Sequence, residues 1–146
     1  MAEKTMELTG GCECRAVRYR LKGPAIRTVH CHCEMCRKGH GALFASHSRF
    51  AKDRFTLEAG AESLRAYESS PGIRRSFCSA CGSQLFFERV ARPEIISITT
   101  GTLDAELMPG HPPGSERHVF VASKAPWEEV ADDLPRDNEH PPEPPA

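Results

Sequence analysis

A mainly β domain of small antiparallel sheets with little helix is the fold class predicted by the sequence, and three observations lead to it. Apolar residues alternate with polar ones at period two, Gly and Pro punctuate the chain between short apolar runs, and helical signal is thin. Val17, Tyr19 and Leu21 alternate with Arg18 and Arg20, the pattern of a half-buried strand. Residues 55–57 and 64–67 flank Gly60 and read as two short strands around a turn. Leu85, Phe86 and Phe87 follow a Cys-Gly turn. Residues 95–100 are dense in β-branched side chains and close at Gly101, which predicts a buried strand. Val119, Phe120 and Val121 form another. Pro126 is placed to open a short helix over residues 127–131, with Glu128 and Glu129 near its positive end.

The chain has 146 residues, enough for one domain, and 39% apolar content, which allows only a modest core. From Pro135 the composition breaks into a polar and then Pro-rich run that lacks the apolar surface to fold. The expected organisation is one folded domain, 1–134, and a disordered tail, 135–146. The formal net charge is −1 with no basic run, which argues against nucleic acid as a partner. No apolar stretch is long enough to span a membrane, and the polar first residues do not read as a secretory signal, so a cytoplasmic location is expected.

Seven cysteines cannot all pair within one chain, and a reducing cytosol disfavours disulfides, so metal ligation is the better reading. Cys12-Glu13-Cys14 can present two sulfurs on one face of an extended segment, and Cys78-Ser79-Ala80-Cys81-Gly82 is a zinc knuckle. Together the four sulfurs make a closed structural zinc site that ties the N-terminal strand to the middle of the chain. Cys31-His32-Cys33-Glu34-Met35-Cys36 brings three more sulfurs into six residues. A tetrahedral zinc held there has one position left for water, for a substrate thiol, or for a histidine from among His30, His32 and His40. Free thiols without a metal are the remaining alternative, disfavoured by their mutual repulsion and ready oxidation.

These residues resemble the glutathione-dependent formaldehyde-activating enzyme family, whose domain also occurs in centromere protein V. The matching elements are Gly10-Gly11-Cys12-Glu13-Cys14 with Val17-Arg18-Tyr19, the run from Cys31 to Lys38, and Phe77-Cys78-Ser79-Ala80-Cys81-Gly82-Ser83. Thr100-Gly101-Thr102-Leu103-Asp104, His118-Val119-Phe120-Val121 and Ser123-Lys124-Ala125-Pro126-Trp127 continue the match in family order. The resemblance implies a β-tent fold organised around two zinc ions. It implies Cys12, Cys14, Cys78 and Cys81 as structural ligands and Cys31, Cys33 and Cys36 as ligands of the catalytic zinc. It also implies carbon–sulfur lyase chemistry on a thiol–aldehyde adduct such as S-hydroxymethylglutathione, with glutathione as co-substrate. The alternatives are the same chemistry on another thiol or aldehyde, and a binding module without turnover.

Glutathione carries two carboxylates, for which Arg37 and Lys38 beside the triplet, and Arg74 and Arg75 before the knuckle, are the candidate cations. Trp127 is expected to pack. His47, His111 and His118 are candidate acid–base groups among which spacing does not choose, and Phe44 and Phe50 line the site or fill the core. Oligomeric state is not readable from the sequence.

Overall fold

The computed structural model describes residues 6–140, and these form two sheets. Strands β1 (Glu7–Gly11), β2 (Arg18–Lys22) and β5 (Phe55–Ala59) make a three-stranded antiparallel sheet in the order β1-β2-β5. The second sheet has seven strands. They are β3 (Arg27–Cys31), β4 (Ala45–Ala51), β6 (Leu64–Ser70), β7 (Ile73–Cys78), β8 (Gln84–Arg89), β9 (Arg92–Thr99) and β10 (Glu116–Val119). Their order is β10-β3-β4-β9-β8-β7-β6, antiparallel throughout except for β10 against β3. One α-helix, α1 (Glu34–His40), follows β3.

The strands expected around Val17 to Leu21, 55–57, 64–67, 85–87 and 95–100 are present, though β5 and β6 belong to different sheets. The strand expected over Val119, Phe120 and Val121 ends at Val119, because Phe120 takes φ 55° and a 3-10 turn follows over Val121–Ser123. Two other expectations fail. No helix forms over residues 127–131, because Glu128 turns its carboxylate inward to within 3.1 Å of His32 Nδ1, and the chain stays irregular around that contact. Residues 135–139, expected to belong to a disordered tail, instead run along β10: Arg136 bridges His118, and the His118 N–H donates to the Pro135 carbonyl at 2.9 Å. The rest of that segment, 141–146, lies outside the described residues. No helix among the described residues is long and apolar enough to cross a membrane.

Alternation along the seven-stranded sheet separates its two faces. Phe50, Leu85, Phe86, Ile96 and Ile98 turn to the side that meets Leu8, Val17, Tyr19 and Leu21 of the smaller sheet, and this is the main core. Arg27, Val29, Cys31, His47, Arg49, Arg75, Phe87 and Ser97 turn to the opposite side, where they line a cavity. The small sheet is locked to the large one at its motif residues. Arg18 donates two hydrogen bonds to the Asp104 carboxylate, at 2.9 and 2.6 Å, and buried Tyr19 shares a 2.7 Å hydrogen bond with Thr102. The glycines of the Gly10-Gly11 pair serve this closeness. A Cβ on Gly10 would lie 2.5 Å from the Thr102 carbonyl oxygen and collide with the Tyr19 hydroxyl.

Gly10→Ala is therefore expected to destabilise the fold by about 1–3 kcal/mol, the usual cost of overpacking. A denaturant midpoint equal to that of the parent protein would contradict this role for the Gly-Gly pair.

Candidate metal centres and the cavity over the cysteine triplet

The two sulfur clusters are both assembled, by different local devices. The Sγ atoms of Cys12, Cys14, Cys78 and Cys81 all lie within 4.8 Å of one another. Cys12 to Cys14 is 3.6 Å and Cys14 to Cys78 is 3.8 Å. Four sulfurs about 2.3 Å from a tetrahedral zinc would be about 3.8 Å apart, so this donor set fits the ion. The C-x-C segment is a tight turn between β1 and β2, not the extended segment that the spacing suggested. Arg15 takes φ 69° there and donates its N–H to the Cys12 carbonyl. The knuckle closes through Gly82 N–H to the Cys78 carbonyl at 2.7 Å, with Gly82 at φ +81°. The Val17 N–H points at Cys12 Sγ at 3.2 Å, and the Ser83 hydroxyl, 3.2 Å from Cys81, lowers that thiol's pKa to about 6. Both favour thiolates, as metal ligation requires.

The triplet is built by the end of a strand and the first turn of a helix. Cys31 ends β3, Cys33 caps α1 by accepting the Cys36 N–H at 3.3 Å, and Cys36 is the third residue of the helix. Gly41, at φ 58°, ends the helix by returning its N–H to Arg37. The three sulfurs also lie within 4.8 Å of one another. Cys33 is driven to about 2 by thiol donation from Cys31 and Cys36, and Cys31 is pushed far up by the neighbouring sulfurs and burial. Left to themselves, the three sulfurs cannot all ionise. A bound cation is what such a donor set calls for, and the residues fit zinc.

None of the three histidines weighed as a closing ligand joins this cluster. His30 faces the other side of β3, within 2.8 Å of the Ser46 hydroxyl and 2.7 Å of Glu116. His32 is fully buried between His118 and Glu128, at 2.8 and 3.1 Å. His40 stacks edge-on to His47 at 5.5 Å. His47 comes nearest, with Nε2 3.9 Å from Cys36 Sγ, yet it lies outside the group of mutually close ligand atoms. Its Nδ1 is buried without a hydrogen-bond partner among the described residues. Burial, then the neighbouring His40 and Arg75 charges, lower its pKa to about 3, so the ring is neutral.

Beside the triplet lies a cavity of about 480 Å³, whose lining includes Cys31, Cys33 and Cys36. Its cations are Arg27, Arg49, Arg75 and Arg89. Arg75 points Nη2 at Cys36 Sγ, 3.6 Å away, is braced by the Ser69 hydroxyl at 3.0 Å, and lies 5.5 Å over the Phe87 ring. Of the cations expected from the sequence, only Arg75 is brought to the cavity. Arg37 points to the His32 carbonyl at 3.4 Å and, with Lys38, borders a separate groove beside Trp127. Lys38 pairs with Glu34 on the exposed helix face. Trp127, expected to pack, is 74% exposed. His111 bonds to Thr28 and His118 to His32, both away from the cavity, while Phe50 is in the core and Phe44 packs on His30 and His32.

The cavity residues that sequence reasoning missed carry one usable signal. Arg27, Val29 and Cys31 alternate along β3, so the first two share the face of the third, and register sets His47 beside Val29 and Arg49 beside Arg27. A pair of ligand substitutions separates the two centres. Cys81→Ser is expected to cost one zinc and several kcal/mol of stability, whereas Cys36→Ser costs the other zinc and leaves the fold near its parent melting temperature. Metal analysis with thermal melts reads both, and equal destabilisation by the two variants would contradict the division.

The comparisons with known proteins agree with this geometry. Residues 7–123 match the family model described as glutathione-dependent formaldehyde-activating enzyme. A Halomonas elongata protein bearing that description in its name is 32% identical over 134 residues, spanning 86% of this chain and 82% of its own. A Schizosaccharomyces pombe protein described as an uncharacterized lyase is 31% identical over 81 residues, 56% of this chain and 57% of its own. A solved Rhodobacter sphaeroides protein superposes with a TM-score of 0.57 at 25% identity, covering 68% of this chain and 90% of its own. With the family model spanning most of the chain and a relative 32% identical along nearly all of it, this chain belongs to the glutathione-dependent formaldehyde-activating enzyme family.

Proposed function

We propose that the chain is a zinc-dependent carbon–sulfur lyase that forms or breaks the bond between a thiol sulfur and an aldehyde carbon, with S-hydroxymethylglutathione as the adduct. One observation carries the reading: three clustered sulfurs, with no histidine among them, floor an arginine-lined cavity of about 480 Å³. Family membership and the name of the Schizosaccharomyces pombe relative support lyase chemistry. All seven cysteines are free thiols, which suits a reducing compartment such as the cytoplasm.

Zinc held by Cys31, Cys33 and Cys36 would supply a Lewis acid that keeps a substrate sulfur ionised near neutral pH. In the forward direction the thiolate sulfur attacks the aldehyde carbon. The C–S bond forms, the carbonyl π pair moves to oxygen, and that oxygen takes up the proton the thiol released. The reverse step returns both. Three cysteine thiolates and a divalent ion leave one negative charge, and Arg75 beside Cys36 offsets it, which lets a further anionic sulfur approach. His47 presents a neutral ring to the cavity, able to donate one N–H to an oxygen of the substrate. Val29, Met35 and Phe87 exclude water around the sulfurs, and Arg27, Arg49 and Arg89 take the carboxylate-binding role in place of Arg37 and Lys38.

Assayed with formaldehyde and glutathione, Cys36→Ser should lose more than about a hundredfold in activity, beyond the effect of disturbing an outer-sphere group. Arg75→Gln should raise KM about tenfold, the scale of one charge-assisted contact, while keeping its zinc. Full activity of the Cys36 variant would overturn the proposal. A panel of other small thiols and aldehydes in the same assay separates this substrate from related ones.

A further inference from the structure

Residues 135–140 lie beyond the stretch that the family model matches, 7–123, yet the last of them, His140, lines the cavity. They run beside β10 and then across the open side of the sheet. The His118 N–H donates to the Pro135 carbonyl and the Asp137 N–H to the His118 carbonyl, both at 2.9 Å. Asp137 is fixed by two hydrogen bonds from Arg117, at 2.7 and 3.1 Å. The amides of Phe120, Val121 and Ala122 donate to the carbonyls of Glu139, Asp137 and Asn138 at 3.2, 3.1 and 3.4 Å. These bonds hold Phe120 at φ 55°, ψ 38°, a left-handed conformation rare and costly for an aromatic residue. Phe120 in turn packs on the apolar cluster that contains Cys31, Cys33 and Cys36 and lines the cavity.

His140 then reaches over the cavity. Its ring meets Phe120 at 5.8 Å on the β10 side, and its Nε2 accepts from Arg89 Nη2 at 2.7 Å on β8. Strands β3, β4 and β9 lie between those two anchors. The geometry points to residues 135–140 as a strap over the substrate cavity: it fixes the Phe120 wall beside the sulfurs, and it carries His140 as a bar across the mouth that retains a peptide-sized acidic thiol. The identity of the ligand rests on the thiol-lyase reading above, while the strap itself does not. Asp137 is a positioning residue, acting through the backbone of 120–122. His140 touches the cavity directly. A substrate that extends from the sulfurs to Arg89 lies under the bar, whereas a two-carbon thiol occupies only the sulfur end and does not feel it.

The test uses the full-length zinc-loaded protein with His140→Ala and Asp137→Ala. Affinities for glutathione and for 2-mercaptoethanol come from calorimetry, and amide hydrogen exchange is followed at Phe120, Val121 and Ala122. The ratio of glutathione to 2-mercaptoethanol affinity is expected to fall about tenfold in His140→Ala, the scale of one lost anchoring contact. In Asp137→Ala the three amides are expected to exchange at least about tenfold faster, as local opening is released from its ion pair. An unchanged ratio in His140→Ala would overturn the role of the bar. Free exchange of the 120–122 amides in the parent protein would overturn the strap. If the parent protein binds neither thiol, the thiol-lyase reading and the retention role fall together, and the exchange experiment still decides the strap.

Discussion

Crowding of ionisable sulfurs is the constraint on which the rest of the structure depends. Seven cysteines stand in two groups within each of which every sulfur is within 4.8 Å of the others. Thiolates so close repel one another, and the pKa values of Cys33 and Cys31 are driven in opposite directions by that coupling. A divalent ion held by each group would turn the repulsion into a cross-link. At the four-sulfur group that cross-link would join the β1–β2 turn to the β7–β8 knuckle, and so the small sheet to the large one. That matters in a chain whose main core is built from about a dozen buried side chains.

The seven-stranded sheet then sets the two groups in different surroundings. Cys78 sits in the core face with Ile96 and Ile98, sealed among apolar side chains. Cys31 ends β3 on the other face, at the floor of a cavity with arginines on four strands. The same sheet thus carries the four-sulfur group on its core side and the three-sulfur group on the side of the cavity. Period-two alternation is enough to separate them. The chain of contacts Glu128–His32–His118–Asp132, buried at its two histidines, fixes the residue between Cys31 and Cys33 from behind.

What was legible in the sequence was what is local in the chain. Ligand grouping depends on spacings of two and three residues, so spacing alone sorts all seven cysteines into their two groups. Half-buried strands such as β2 and β9 show their alternation openly. The cavity arginines do not announce themselves, because Arg27, Arg49, Arg75 and Arg89 come from β3, β4, β7 and β8 and meet only through sheet order. Helix α1 is hidden because its cap is a cysteine, Cys33, in place of the usual serine or aspartate. Pro-rich composition suggests a tail, yet residues 135–139 supply mainly carbonyl oxygens to β10 and the turn after it, a role that proline fills as well as any residue.

The central claim is an open, thiol-accepting metal position beside a closed one. X-ray absorption at the zinc edge on the purified protein, with and without glutathione, tests it most directly. The account predicts two zincs per chain, one in an unchanging four-sulfur shell and one that exchanges a light-atom ligand for sulfur when glutathione is added. A single four-sulfur zinc, or a second zinc whose shell stays the same with every thiol offered, would contradict it.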